Sequence, residues 1–98
     1  MFDSNVEKEN FILRCFVKYI EENNIEGMEK LKSFIPILNN YQSLNSKCLA
    51  RAIENGNAEE EYILIAWYDA IGPFNLTDRQ IEVELENIRK SERVMCTF

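Results

Sequence analysis

The chain has 98 residues, 46% of them apolar, 11% aromatic and 29% charged, which fits one globular domain and argues against a disordered or low-complexity chain. It holds no histidine, which removes Ser-His-Asp and Cys-His nucleophile systems, the H-E-x-x-H zinc helix and every Cys/His zinc module. Eleven Lys plus Arg against seventeen Asp plus Glu leave a net charge of -6, the wrong sign for the counterion release that drives direct nucleic-acid binding.

In chain order, Ser4 and Glu7 have capping-box spacing and open a helix over about residues 5–23. Its apolar residues Ile12, Leu13, Phe16, Val17, Tyr19 and Ile20 recur at three- and four-residue steps, leaving Glu9, Arg14, Lys18 and Glu22 for the polar face. Asn23-Asn24 is a break. Ile25, Met28, Leu31, Phe34, Ile35 and Leu38 then repeat at helical spacing towards Pro36, whose ring disfavours helical geometry in the preceding residue, so a short second helix, about 25–35, is expected to end or kink near Ile35. Asn39, Asn40 and Ser43 read as a polar connection. The third helix, about 44–55, has the stripe Leu44, Cys48, Leu49, Ala52 and Ile53, and Gly56 fits the left-handed position that closes it.

Asn57 is placed to cap a fourth helix, about 58–71, with Glu59, Glu60 and Glu61 in the first turn, where the macrodipole favours negative charge. The following run, Tyr62 to Tyr68, is apolar almost all round and short enough to suit a buried strand as well, but no second strand is available to pair with it. Gly72-Pro73 ends this element. Thr77 and Gln80 form another capping box and open a surface helix, about 78–93, with the narrow stripe Ile81, Leu85 and Ile88. Residues 94–98 read as a docked tail or a frayed end. The expected fold is therefore all-α, a compact single-domain bundle of about five short helices.

The excess charge is unevenly placed. Between Ala52 and Asp78 stand six acids, Glu54, Glu59, Glu60, Glu61, Asp69 and Asp78, and no Lys or Arg, while the remainder balances at eleven of each sign. Cys15, Cys48 and Cys96 are odd in number and lack C-x-x-C spacing, so buried thiols at Cys15 and Cys48 are expected rather than disulfides or a metal knuckle. The first residues lack a basic, then apolar, leader pattern, and no run approaches a membrane span; the expectation is a soluble, cytoplasmic protein.

Carboxylates invite comparison with paired-acid hydrolases, the clusters being Glu59-Glu60-Glu61 and Glu82, Glu84, Glu86. Both lie in a polar first turn or on a polar helix face, the ordinary setting of solvated acids. No calcium-loop pattern, glycine-rich phosphate loop or Glu-x-x-His motif occurs. The sequence therefore predicts no enzyme, metal or cofactor.

Acids flanking Tyr and Trp are the composition of a surface that attracts a basic partner and anchors it with rings. The stretch Glu59-Glu60-Glu61-Tyr62 to Trp67-Tyr68-Asp69 has it. Adjacent helical residues point about 100° apart, so Trp67 is expected in the core and Tyr68 at least partly exposed beside Asp69. Asp78, Glu82, Glu84 and Glu86 offer a second surface, which equally describes a solvated helix face.

Two resemblances arise. The segment Leu49-Ala50-Arg51-Ala52-Ile53-Glu54-Asn55-Gly56-Asn57-Ala58-Glu59 is similar to the inner-helix end and turn of an ankyrin repeat, but the T-P-L-H-x-A opening and a second unit are missing, which leaves a generic helix hairpin. Trp67-Tyr68 followed by Asp69 and Pro73 within acidic helical sequence resembles the binding region of small helical immunity proteins, which neutralise bacterial nuclease toxins. That resemblance implies an inhibitor without activity of its own, holding a basic nuclease toxin through Glu59, Glu60, Glu61, Tyr68 and Asp69, with Asp78, Glu82 and Glu86 as an alternative or adjoining face. Other readings are a phage-encoded nucleic-acid mimic that blocks a host defence or transcription protein, and a self-associating helical adaptor. Direct nucleic-acid and membrane binding are not expected, and the oligomeric state stays open.

Overall fold

The first helix sets the arrangement: a stripe of Phe11, Ile12, Leu13, Cys15, Phe16 and Tyr19 is buried along α1 (Asn5–Glu21) and faces other helices on several sides. The computed structural model describes residues 5–57 and 62–96, with side chains to residue 92. Its described residues form six helices and no strand: α1, α2 (Ile25–Lys32), α3 (Ile35–Asn40), α4 (Leu44–Asn55), α5 (Tyr62–Ile71) and α6 (Asp78–Cys96). The all-α expectation holds, with six helices where about five were expected.

The ends of these helices follow from local chemistry. Asn23 adopts a φ of +53°, its N–H donates to Ile20 O at 3.1 Å and the N–H of Asn24 to Tyr19 O at 2.8 Å. This Schellman pattern closes α1 at Glu21, two residues before the expected end. Asn24 then caps α2, its Oδ1 accepting from the N–H of Gly27 at 2.9 Å. Gly56, at φ +69°, ends α4 with the same 6→1 bond, from the N–H of Asn57 to Ala52 O at 3.2 Å. The Thr77–Gln80 box is reciprocal: Gln80 N–H donates to Thr77 Oγ1 at 3.2 Å and Thr77 N–H to Gln80 Oε1 at 2.9 Å. Ser4 and the start of the expected fourth helix, residues 58–61, lie outside the described residues.

Pro36 corrects the expected second helix, which does not run to residue 35. Helix α2 stops at Lys32 and Pro36 stands in the first turn of α3, where its missing N–H would have had no intrahelical partner. Asn39 and Asn40, read as connection, are the last residues of α3. The connection proper is Tyr41 to Ser43, with Gln42 at φ +59° and Ser43 Oγ accepting from the N–H of Ser46 to start α4.

Helices α1 and α4 are the hubs, each packing against four others. Phe16, Phe34, Leu38, Leu49, Ile53, Leu64, Ile81 and Ile88 meet in one apolar cluster with the α1 stripe. The narrow stripe of α6 is buried as expected, as are the thiols of Cys15 and Cys48. Burial drives the Cys15 thiol well above its ordinary pKa, partly offset by the charge of Lys18, so Cys15 is an inert core residue. No helix among the described residues is long and apolar enough to cross a membrane.

Candidate partner-binding surface

Helix α5 is apolar nearly all round, a composition that normally belongs inside a protein. It packs against α1 and α4, and two neighbours cover only part of its circumference. Leu64 alone is fully buried; Tyr62, Ile63 and Ile65 are 87%, 44% and 43% exposed.

Trp67 and Tyr68 are both half-buried but differently employed. Trp67 packs on the core and its Nε1–H donates to Asn10 Oδ1 at 2.8 Å, which ties α5 to α1 and satisfies the indole. Burial pushes the phenol of Tyr68 above its ordinary range; the negative charges of Glu21 and Asp69 add to this, and Arg14 opposes it. Tyr68 therefore lies within the field of two carboxylates and one guanidinium.

Arg14 also holds the C-terminal end of α5. Its Nε donates to Gly72 O at 3.1 Å and one terminal nitrogen to Ile71 O at 3.3 Å, putting a cation where the helix presents unpaired carbonyls. Its guanidinium lies 5.9 Å from the centre of the Phe74 ring, which meets Phe11 edge-on at 5.2 Å.

Of the expected contact residues, Glu59, Glu60 and Glu61 lie outside the described residues. Asp69 is exposed beside Tyr68. Asp78 is exposed at the start of α6 and close enough to α1 for its charge to act on Lys18 and Tyr19. Tyr68 lines a slot with Val17 of α1, and in the last turns of α1 Lys18 and Glu22 are paired with each other. Glu82 and Glu86 are engaged elsewhere: Glu82 pairs with Lys30 on α2 at 3.0 Å, and Glu86 with Arg89 at 3.0 Å. Arg89 in turn donates to Ser33 Oγ at 2.9 Å and lies 5.1 Å from the centre of Phe34, so this side of α6 is a seam against the α2–α3 junction.

The sequence reading missed a polar set at the other end of α1. Lys8 is 5% exposed, and its Nζ lies 3.0 Å from Glu92 Oε2 and 3.1 Å from Ser91 Oγ on α6. Glu9, assigned to the polar face, is 4% exposed and accepts from the fully buried hydroxyl of Ser46 on α4. The Tyr41 hydroxyl is buried without a hydrogen-bond partner of good geometry among the described residues; burial, and then the charges of Glu92 and Glu9, push it above its ordinary range.

Grooves are shallow. One of about 440 Å³ is lined by Phe11, by Leu76 and Thr77, and by the α6 residues Arg79, Gln80, Val83 and Glu84, so that of the acids considered above it includes Glu84 alone. A small slot of about 90 Å³ opens between α1 and α5, lined by Val17, Leu64, Ile65 and Tyr68. Among the described residues no group of three His, Cys, Asp or Glu side chains is arranged to hold a metal ion. No protein-family model, curated protein or solved structure matches this chain.

Proposed function

We propose that this chain is a protein-binding inhibitor of a basic protein, in its most specific form an immunity protein that neutralises a nuclease toxin by occluding its active or substrate-binding site. The observation that carries the reading is the outward face of α5: large apolar side chains stand in solvent inside the one stretch of the sequence that has six acids and no cation. Contiguous exposed apolar surface marks interaction sites, and acids around it steer a cationic partner. Tyr68 and Asp69, with Glu59 to Glu61, form the contact, and Asp78 adjoins it against α1. Glu82 and Glu86 contribute field rather than contact, because each already faces a cation.

The test is to immobilise the protein, pass source-cell lysate over it at low and high salt, and identify what is retained. A basic protein held stoichiometrically, with nuclease activity lost in the complex, supports the reading. If changing Asp69→Asn and Tyr68→Ala leaves affinity and its salt dependence unaltered, the site is wrong. Exposure of Tyr62, Ile63 and Ile65 also favours a second reading, self-association through α5. A dimeric native mass without a retained partner supports that one.

A further inference from the structure

The α5 face has a definite shape. At about 100° per residue, Tyr62, Ile63, Ile65, Ala66 and Ala70 fall on one arc of about 160°, and all are exposed. Asp69 is the one charged residue in α5 and lies on the same arc. The slot against α1 runs along its edge. Glu21 follows the slot residue Val17 by one turn of α1, and Asp69 follows the slot residue Ile65 by one turn of α5. Both charges act on the phenol of Tyr68, itself a slot residue, so each of the two helices carries an acid close to the slot. In the sequence Glu59 to Glu61 directly precede the face.

Three properties select the occupant. A helix has no open backbone edge, so no strand can be added to α5, and recognition must be by side chains packed at three- and four-residue spacing. The slot has room for a small apolar side chain. Two copies of this chain would bring like-charged ends together, each with a net charge of -6, which opposes self-pairing and favours a cationic partner.

We propose that the α5 face and its slot dock an amphipathic basic α-helix of the partner, its apolar stripe along Ile65 and Tyr62, one side chain in the slot, and Lys or Arg over Glu21 and Asp69. This rests on the reading of a basic partner and adds how that partner is held.

Calorimetric titration with three synthetic peptides tests it. The first has leucines at i, i+3, i+4 and i+7 spacing on a lysine background, the second the same composition with the leucines scattered, and the third the first pattern with glutamate replacing lysine. The first peptide should bind at least about tenfold more tightly than the second, and the third should not bind. Ile65→Glu and the fully solvent-facing Tyr62→Asp should each weaken the first peptide by about tenfold with helical circular dichroism retained. Glu21→Gln with Asp69→Asn should flatten its salt dependence, and Val83→Glu, exposed on α6, should change nothing. Equal binding of the first two peptides, or no binding of the first, overturns the proposal. So does indifference to both α5 variants, in which case loss of binding on neutralising the acids would leave the basic-partner reading standing. Tight binding of the glutamate peptide overturns that reading itself. A dimer that Ile65→Glu dissociates assigns the face to a second copy and overturns the helix proposal.

Discussion

Arg14 of α1 donates through Nε to the carbonyl oxygen of Gly72, 58 residues away, and so fixes where α5 ends. The adjoining bond to Ile71 O makes the guanidinium a two-point clamp, which an ammonium group cannot reproduce. Arg14→Met should cost about 1–2 kcal/mol in a denaturant titration, because charge-assisted bonds to carbonyls and a favourable helix-end charge are lost together. It should also raise the Tyr68 pKa further, since Arg14 is the group that lowers it. Arg14→Lys should restore the charge effect on Tyr68 but little of the stability. Spectrophotometric titration of the phenols reads the first effect, and a normal Tyr68 titration in Arg14→Met would contradict the arrangement.

Gly27 of α2 packs directly on the ring of Tyr19 in α1. A Cβ built on it meets the ring of Tyr19 at 2.7 Å, a distance that requires the ring or the helix to shift. Ordinarily Gly→Ala inside a helix gains roughly 0.5–1 kcal/mol. Here overpacking of the buried ring, typically 1–3 kcal/mol, should win and make Gly27→Ala destabilising. In Tyr19→Leu the same glycine change should become neutral or favourable. A double-mutant cycle on these two positions checks the coupling, and additive effects would sink it.

Helix ends were readable because caps are local: Gly56, and Thr77 with Gln80, act within four residues of themselves. Pro36 was not, because the same residue can stop one helix or start another. The decision lies in burial of Phe34 and Leu38 on either side of it, which requires the chain to turn between α2 and α3. The exposed face of α5 was equally hidden. Periodicity shows how apolar a helix is, and only packing shows that two neighbours leave part of it open. Tyr68 and Asp69 were legible as a polar-aromatic pair, whereas the clamp by Arg14 is a long-range contact that no local pattern announces.

The buried Lys8–Glu92 pair gives another prediction, and Glu9 shows why it was overlooked. Glu9 precedes Ile12, Leu13 and Phe16 by three, four and seven residues, which places it on the buried stripe despite its charge. Its partner Ser46 is 37 residues away. Removing one member of such a pair leaves an uncompensated charge, so Lys8→Met alone should cost roughly 3 kcal/mol. Lys8→Met with Glu92→Leu should recover much of that loss, because two apolar groups carry no desolvation penalty. Chemical denaturation of the four proteins gives the coupling, and a double variant no better than Lys8→Met would refute it.

Alkaline pH should unfold this protein cooperatively, and the cause lies in the core rather than on the acidic surface. Burial raises the Tyr19 phenol from its ordinary 10.0 to about 12, with the charges of Cys15, Asp78, Glu82 and Glu22 adding to the shift. Cys15 is raised from 9.0 by burial, and Tyr41 is raised by burial and by Glu92 and Glu9. Each group holds its proton more tightly when folded than when unfolded. Their contribution is therefore complete below the unfolded values and is lost as pH rises from about 9 through the folded values. In a Tyr62→Phe, Tyr68→Phe background, where only the core phenols of Tyr19 and Tyr41 report, tyrosinate absorbance and helical circular dichroism should stay native to about pH 9 and then change in step. Tyr19→Phe, which removes a group that must ionise without disturbing its ring packing, should move the transition to higher pH. Ionisation of Tyr19 and Tyr41 at their ordinary pKa in that background, with the helices intact, would show that these two side chains are not enclosed by the core described here.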